Sequence, residues 1–231
     1  MPCGENQEIH DKKLKMPHEE VWRVFRIMSE FVEGFEIFTK LPPSIVIFGS
    51  ARIKEGSRYY KMAEETAREL VNKGFGVTTG GGPGIMEAAN KGAKTAGGSS
   101  AGINVVLPFE TESNKFIDRD KIITLRYFFV RKVLLTKYAQ GFIIMPGGFG
   151  TIDELFEILT LIQTEKTKKA PVILMGKDYW SGLLQWIKDK VLSEGNINKE
   201  DLNLFTLTND PSEAARIICE FHKGKEFLPN F

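Results

Sequence analysis

In the run Pro146-Gly147-Gly148-Phe149-Gly150-Thr151-Ile152-Asp153-Glu154, a glycine-rich turn separates a buried-strand pattern, Gly141–Met145, from a long helical one. Such a turn lets bare backbone N–H groups approach an anion, and the helix N-terminus adds favourable partial charge. Glu154 is expected in the first turn of that helix, which sets a carboxylate beside a phosphate-binding loop. A second glycine-rich loop, Thr79-Gly80-Gly81-Gly82-Pro83-Gly84-Ile85-Met86-Glu87, stands at the same kind of junction. Two anion cradles and a nearby acid point to chemistry on a phosphorylated small molecule. Neither loop fits the G-x-G-x-x-G fingerprint, and no G-x-x-x-x-G-K-[ST] occurs, so a P-loop is unsupported. Tight turns demand glycine anyway. The expectation therefore rests on the pair of loops rather than on either alone.

The elements that must position these loops alternate along the chain. Residues 1–16 read as a lead-in. Glu19–Lys40 then carries Val21, Phe25, Met28, Val32, Phe35 and Phe38 at helical spacing, one apolar stripe, until Pro42-Pro43 stops any helix. Strands are expected at Ile45–Phe48, Phe75–Thr78, Ala101–Leu107, Lys121–Leu125, Phe142–Met145 and Val172–Met175. Helices are expected after Gly49-Ser50 (Ala63, Ala67, Leu70 and Val71 inward, ending at Gly74), and at Ile85–Thr95, Phe128–Tyr138, Ile152–Gln163, Tyr179–Leu192 and Pro211–His222. Phe109–Arg119 reads as a polar loop, its acids Glu110, Glu112, Asp118 and Asp120 facing solvent or covering the site. Continuously apolar strands are those with helices on both faces. Right-handed crossovers then give an α/β fold, a Rossmann-like, doubly wound parallel sheet with an N-terminal helical extension. The expected units are 1–43, a lead-in and amphipathic helix; 44–223, the nucleotide-binding catalytic domain; and 224–231, a tail. Ligands of such sheets bind beyond the carboxyl ends of the strands, so Gly49-Ser50, Gly80–Gly84 and Pro146–Thr151 should share one rim.

Composition narrows the function classes. A chain of 231 residues with a net charge of +1 gives no reason to expect steering toward nucleic acid or an acidic membrane. Its two cysteines, Cys3 and Cys219, lie near opposite ends and fit a reducing setting. No stretch has the length of a membrane span, and the cytoplasm is the expected address. His10, His18 and His222 lie outside the motifs, and no compact metal-ligand spacing occurs. A pyridoxal-phosphate enzyme needs a lysine for its Schiff base, and no motif singles one out; no cofactor is expected.

With both glycine loops and the pair Arg131-Lys132 in Tyr127-Phe128-Phe129-Val130-Arg131-Lys132, the chain resembles the Lonely Guy proteins. These are cytokinin-activating nucleoside 5′-monophosphate phosphoribohydrolases, and many carry the older label "possible lysine decarboxylase". The resemblance runs from about Ser44 to Cys219 and includes P-G-G-x-G-T-x-x-E in full. Phe48-Gly49-Ser50-Ala51-Arg52 and the leading helix look like the longer, mostly bacterial branch. The resemblance implies hydrolysis of the N-glycosidic bond of AMP or an N6-modified AMP, and a symmetric homodimer or larger assembly with the site near its interface. The short plant forms have a longer glycine loop than Gly80–Met86, and Met where this chain has Phe128. Both departures lie near the nucleotide in the family's arrangement.

On this reading Glu154 orients or activates water and stabilises an oxocarbenium-like sugar, as glycosidase carboxylates do. Arg131 holds the leaving base or the phosphate, since an always-charged guanidinium is a poor proton donor. Gly147, Gly148, Gly150 and Thr151 bind the 5′-phosphate. Ser50, Gly81, Gly82 and Met86 are further substrate contacts, Glu87 a contributor to ribose binding, and Lys132 a substrate, structural or partner contact. A glutamate in a helix's first turn can also merely complement the macrodipole, and an Arg-Lys pair on a helix can be a solvated face. A carrier of nucleotide or molybdenum cofactor on the same fold, and a broad nucleotide nucleosidase, are the competing functions.

Overall fold

The computed structural model describes residues 19–106 and 113–231. Among them, seven strands form one parallel sheet: β1 (Ser44–Phe48), β2 (Gly76–Thr79), β3 (Ser100–Val105), β4 (Ile122–Leu125), β5 (Ala139–Ile144), β6 (Val172–Met175) and β7 (Thr206–Thr208). Their order is β4-β3-β2-β1-β5-β6-β7. The helices are α1 (Glu19–Phe38), α2 (Arg58–Asn72), α3 (Ile85–Thr95), α4 (Phe128–Lys137), α5 (Phe149–Gln163), α6 (Lys177–Trp186) and α7 (Pro211–His222). This is the Rossmann-like, doubly wound sheet that the strand–helix rhythm implies, with an N-terminal helical extension.

Strict alternation along the central strands builds two cores. Val46 and Phe48 of β1, Phe142 and Ile144 of β5, and Val172 and Leu174 of β6 face one side, where Phe38, Leu134, Ile158 and Trp180 pack on them. Ile45, Ile47, Ile143, Met145, Ile173 and Met175 face the other, covered by α2, α3 and α7 through Ala63, Ala67, Ala88, Ala89, Ala93 and Ala214. Both faces being covered is why these strands carry no polar alternation. The alanine-rich side also lets α2 and α3 approach closely.

Several elements differ from the sequence reading. β7 was not anticipated: Thr-Leu-Thr is short and half-exposed, so neither length nor hydrophobicity marks it. The expected helix Tyr179–Leu192 divides into α6 and a wider π turn, Ile187–Leu192. α5 opens at Phe149, three residues before the expected Ile152, because extended Gly148 serves as its N-cap. The stripe on α1 is only partly covered: Phe38 is buried, whereas Phe25, Met28 and Val32 are exposed. The lead-in 1–16 and residues 107–112, which include Leu107, Glu110 and Glu112, lie outside the described residues. Among those described, no helix is long and apolar enough to cross a membrane.

Strand order reverses between β1 and β5. From β1 the chain winds outward to β4, returns to β5, then winds the other way to β7. The loops leaving β1 and β5 diverge there and open a crevice at the carboxyl edge of the sheet.

Candidate active site

The crevice is a cleft of about 680 Å³, within the range of small-molecule sites. Its walls take Gly49, Ser50 and Arg52 from the β1 loop, Gly80 and Met86 from the β2–α3 connection, and Gly147–Ile152 from the β5–α5 turn. Arg131 and Phe128 of α4, Glu154 of α5 and Tyr179 of α6 complete it. The three loops thus share one rim.

Ser50 ties them together. Its N–H donates to Pro146 O at 3.1 Å, and its carbonyl accepts from Ile85 N at 3.1 Å. Its hydroxyl accepts from Arg52 N at 3.1 Å, closing the β1 loop on itself. Gly147 packs so closely that a Cβ there would lie 2.6 Å from Thr151 Cβ and 3.0 Å from Ser50 N. No other residue fits that backbone path. The Gly147 carbonyl is turned outward to the Tyr179 hydroxyl, which donates to it at 2.6 Å. The Gly148 carbonyl accepts from Thr151 N at 3.0 Å and Ile152 N at 3.1 Å. The first N–H groups of α5, by contrast, have no acceptor within their own helix and open at the cleft, as an anion would require.

The first glycine loop behaves differently. Only its ends, Gly80 and Met86, line the cleft. Gly81 and Gly82 are buried, and Asn114 fastens their carbonyls through Nδ2 at 3.2 and 3.0 Å. Asn114 also donates to Asn90 Oδ1 at 2.9 Å, and Asn90 reaches Ser100 and Ala101 on β3. This network holds the loop from behind. Glu87 points to α2, where the Tyr60 hydroxyl donates to it at 3.4 Å. Burial and the Glu87 charge push that phenol up to about 12.

Glu154 stands in the second turn of α5 and not, as expected, in the first, because the helix opens at Phe149; it is past the reach of a simple helix-dipole role. It is 3% exposed. Among the described residues, neither carboxyl oxygen accepts a hydrogen bond. Lys132 Nζ is its nearest cation, 3.6 Å from Oε2. That ammonium is shared, being 3.0 Å from Asp153 and also in contact with Glu157. Burial raises the Glu154 pKa to about 7; Lys132 and Arg131 draw it back, while Glu157 and Asp153 add to the rise. A carboxyl titrating near neutrality inside a cleft is equipped for proton transfer.

Arg131 crosses the cleft toward the first glycine loop, where a Cβ on Gly80 would lie 3.6 Å from its Nη1. Its guanidinium stacks on the Phe128 ring with 4.2 Å to the centroid. A buried glutamate on α1 sets the start of α4: Glu30 accepts from Arg126 N at 2.9 Å and Tyr127 N at 3.3 Å. Sequence reasoning missed Glu30, Tyr179 and Asn114. Each acts on a residue distant in the chain, and no local pattern announces such a contact.

Of the expected site residues, Glu154, Arg131, Ser50, Met86, Gly147, Gly148, Gly150 and Thr151 come together around the cleft. Gly81, Gly82, Glu87 and Lys132 do not line it. Lys132 sits behind Glu154.

A family model described as "Possible lysine decarboxylase" matches residues 86–218. The probable cytokinin riboside 5′-monophosphate phosphoribohydrolase LOG4 of Oryza sativa subsp. japonica is 31% identical over 181 residues, 77% of this chain and 76% of its own. The cytokinin riboside 5′-monophosphate phosphoribohydrolase LOG3 of Arabidopsis thaliana is 31% identical over 180 residues, 76% of this chain and 81% of its own. Among solved structures, the molybdenum cofactor carrier protein of Chlamydomonas reinhardtii superposes with a TM-score of 0.58 at 22% identity, covering 78% of this chain and 98% of that one. At that identity the superposition speaks for the fold alone. The family model spans more than half of the chain, and the P-G-G-x-G-T-x-x-E loop and the Arg-Lys pair converge on one cleft, so the chain belongs to the possible lysine decarboxylase family, that of the Lonely Guy proteins.

Proposed function

We propose that this protein is a phosphoribohydrolase that cleaves the N-glycosidic bond of a purine nucleoside 5′-monophosphate, AMP or an N6-modified AMP such as a cytokinin ribotide. The observation that carries the reading is the buried carboxyl of Glu154, which accepts no hydrogen bond among the described residues, beside Arg131 and the glycine turn. The phosphoribohydrolase names of its relatives support the same enzyme class.

Breaking the C1′–N bond sends the electron pair to the base and leaves positive charge on the sugar. Deprotonated Glu154 stabilises that charge and takes a proton from the attacking water, whose oxygen bonds to C1′. Arg131 hydrogen-bonds the departing base, which gains its proton from solvent. Gly147, Gly148 and Gly150 backbone and the Thr151 hydroxyl hold the 5′-phosphate, and binding energy from that remote group fixes the glycosidic bond for reaction. Ser50 and Met86 line the nucleotide's path, and Gly81, Gly82 and Glu87 support the cleft from behind. The working unit is a homodimer or larger homo-oligomer.

Turnover is expected to require the 5′-phosphate. Incubation with a panel of nucleoside monophosphates and nucleosides, with free bases resolved by chromatography, should give adenine from AMP and little from adenosine. Equal turnover of the two would remove the Pro146–Thr151 loop from phosphate binding. AMP binding without base release from any monophosphate would make the protein a carrier.

Lys132 has a separate expected effect. Its ammonium holds the Glu154 pKa down, so Lys132→Met should move the lower limb of the kcat/KM–pH profile upward by about one unit. Lys132→Arg, which keeps the charge, should leave that limb near its original position. A profile unmoved by Lys132→Met would give Lys132 a packing role only.

A further inference from the structure

Tyr179 lines the cleft but takes no part in breaking the glycosidic bond. Its hydroxyl instead completes a pattern in the glycine turn. Three successive carbonyls, those of Pro146, Gly147 and Gly148, could face an anion there, and each is tied to a donor. Pro146 O accepts from Ser50 N at 3.1 Å, and Gly148 O from Thr151 N and Ile152 N at 3.0 and 3.1 Å. Those donors are backbone groups of the β1 loop and of α5 itself. Gly147 O, the middle one, is held by a side chain, the Tyr179 hydroxyl at 2.6 Å.

The middle carbonyl is also the one most free to turn. A peptide unit is planar and trans, so the Gly147 carbonyl and the Gly148 N–H point in opposite directions and rotate together. That rotation changes ψ of Gly147 and φ of Gly148, and glycine accepts φ of either sign. Gly148 has a φ of −85°, and a Cβ on it would meet nothing within 4 Å, so packing at Gly148 does not hold the unit. With the carbonyl at Tyr179, the Gly148 N–H is turned away from α6, and among the described residues it has no acceptor. The opposite orientation would put a carbonyl oxygen, with its partial negative charge, where a phosphate is to sit.

A fixed helix start delivers the hydroxyl. Gly176, with a φ of 100°, caps α6, and a Cβ there would lie 3.1 Å from Pro146 Cγ and 3.2 Å from Tyr59 Cε1. Helix α6 therefore begins against the proline of the turn, and Tyr179 follows three residues on. The Gly176 N–H donates to Thr208 O at 3.1 Å. Trp180 is buried, its indole donating to Met175 O at 3.0 Å, and the Tyr179 ring stands edge to face with it at 4.9 Å. We propose that Tyr179 is a positioning residue of the phosphate cradle: its hydroxyl holds the Gly147 carbonyl off the anion and keeps the Gly148 N–H directed at it. The role rests on the turn binding the 5′-phosphate, and it names the group that sets the turn's polarity.

Tyr179→Phe removes the hydroxyl and keeps the ring. On the full chain, calorimetry should show inorganic phosphate and ribose 5-phosphate each bound about tenfold more weakly by this variant. Tyr179 is 44% exposed, so water can reach the freed carbonyl without fixing it, and binding should weaken rather than vanish. KM for AMP should rise by a similar factor while kcat changes less than about threefold, the mark of a lost binding contact. Tyr59→Phe is the control. Its hydroxyl donates to Asp178 at 3.1 Å, where Arg58 also binds at 2.9 Å, and its loss from the same cluster should leave both affinities unchanged. Unchanged phosphate affinity in Tyr179→Phe, a fall in kcat with KM unmoved, or equal weakening in Tyr59→Phe would each overturn the proposal and leave the phosphate site in place. An unaltered protein that binds neither ribose 5-phosphate nor inorganic phosphate would instead remove the phosphate site, and the role of Tyr179 with it. Both variants keep an aromatic ring, and a circular dichroism spectrum matching the parent's confirms that each is folded.

Discussion

Glu154→Gln is expected to lower kcat by about 10²- to 10⁴-fold, the usual contribution of a positioned acid–base group, while leaving AMP binding largely intact. The amide keeps the shape of the carboxyl but carries no negative charge for a sugar cation and accepts no proton from water. The phosphate loop is backbone and Thr151, which the change does not touch. In the unaltered protein, kcat/KM should rise with pH and level off above the Glu154 pKa of about 7, because only the deprotonated carboxyl serves. Near-normal turnover by the variant would end this mechanism.

The same substitution should make the protein more stable at neutral and alkaline pH. In the unfolded chain Glu154 loses its proton near the ordinary value of 4.5, whereas in the fold it holds that proton to about 7. The folded state binds the proton more tightly across that window, so stability falls as pH rises through it and stays lower above it. Gln is neutral throughout and resembles the protonated acid. The gain should therefore be near zero at about pH 4 and reach up to about 3 kcal/mol at about pH 8. Chemical denaturation of both proteins at the two pH values measures it. A site that trades stability for chemistry behaves this way; a residue kept for its helix would lose stability when changed.

The second large effect is expected in the packing under the site. Gly92 on α3 lies against α2, where an added Cβ would be 2.9 Å from the Glu64 carbonyl carbon and 3.0 Å from Ala67 Cβ. Backbone cannot swing aside as a flexible side chain can. Gly92→Val gains only a few tenths of a kcal/mol, roughly, in helix propensity. Forcing the two helices apart should cost about 3 kcal/mol. For a chain of this size each kcal/mol lowers Tm by roughly 2–4 °C, so thermal melting should show a drop well outside error. An unchanged Tm would mean that α3 can slide on its neighbours. Since α3 carries Met86 into the cleft, the variant's KM for AMP reports whether such sliding reaches the site.

The order of strands and helices was legible in the sequence because the segments Ile45–Phe48, Phe142–Met145 and Val172–Met175 are continuously apolar and many of the turns between elements carry glycine or proline. The glycine turn at Pro146–Thr151 and the carboxyl of Glu154 were legible for a related reason: loop and helix start are local, and their residues are contiguous. β7 escaped notice because Thr206–Thr208 gains its strand character from pairing with β6, not from its own hydrophobicity. The start of α5 was displaced because a glycine cap is set by backbone angles that composition does not reveal. Which face of α1 the core takes was not legible for a third reason. Helical periodicity identifies apolar faces but does not say which one the core takes, and Glu30 lies on the covered face, where the backbone N–H groups of Arg126 and Tyr127, just ahead of α4, donate to it.

The sequence by itself thus determined the α/β class, the succession of elements and the local chemistry of the phosphate loop, all properties carried by neighbours in the chain. Only the tertiary structure decided that β1 and β5 adjoin, that Arg131 reaches Gly80 across the cleft, and that Asn114 and Tyr179 steady the two glycine loops. It also decided the state of Glu154. The pKa of a carboxyl depends on how much water it has lost and which charges face it, and those surroundings are assembled from α4 and α5 only when the sheet has closed.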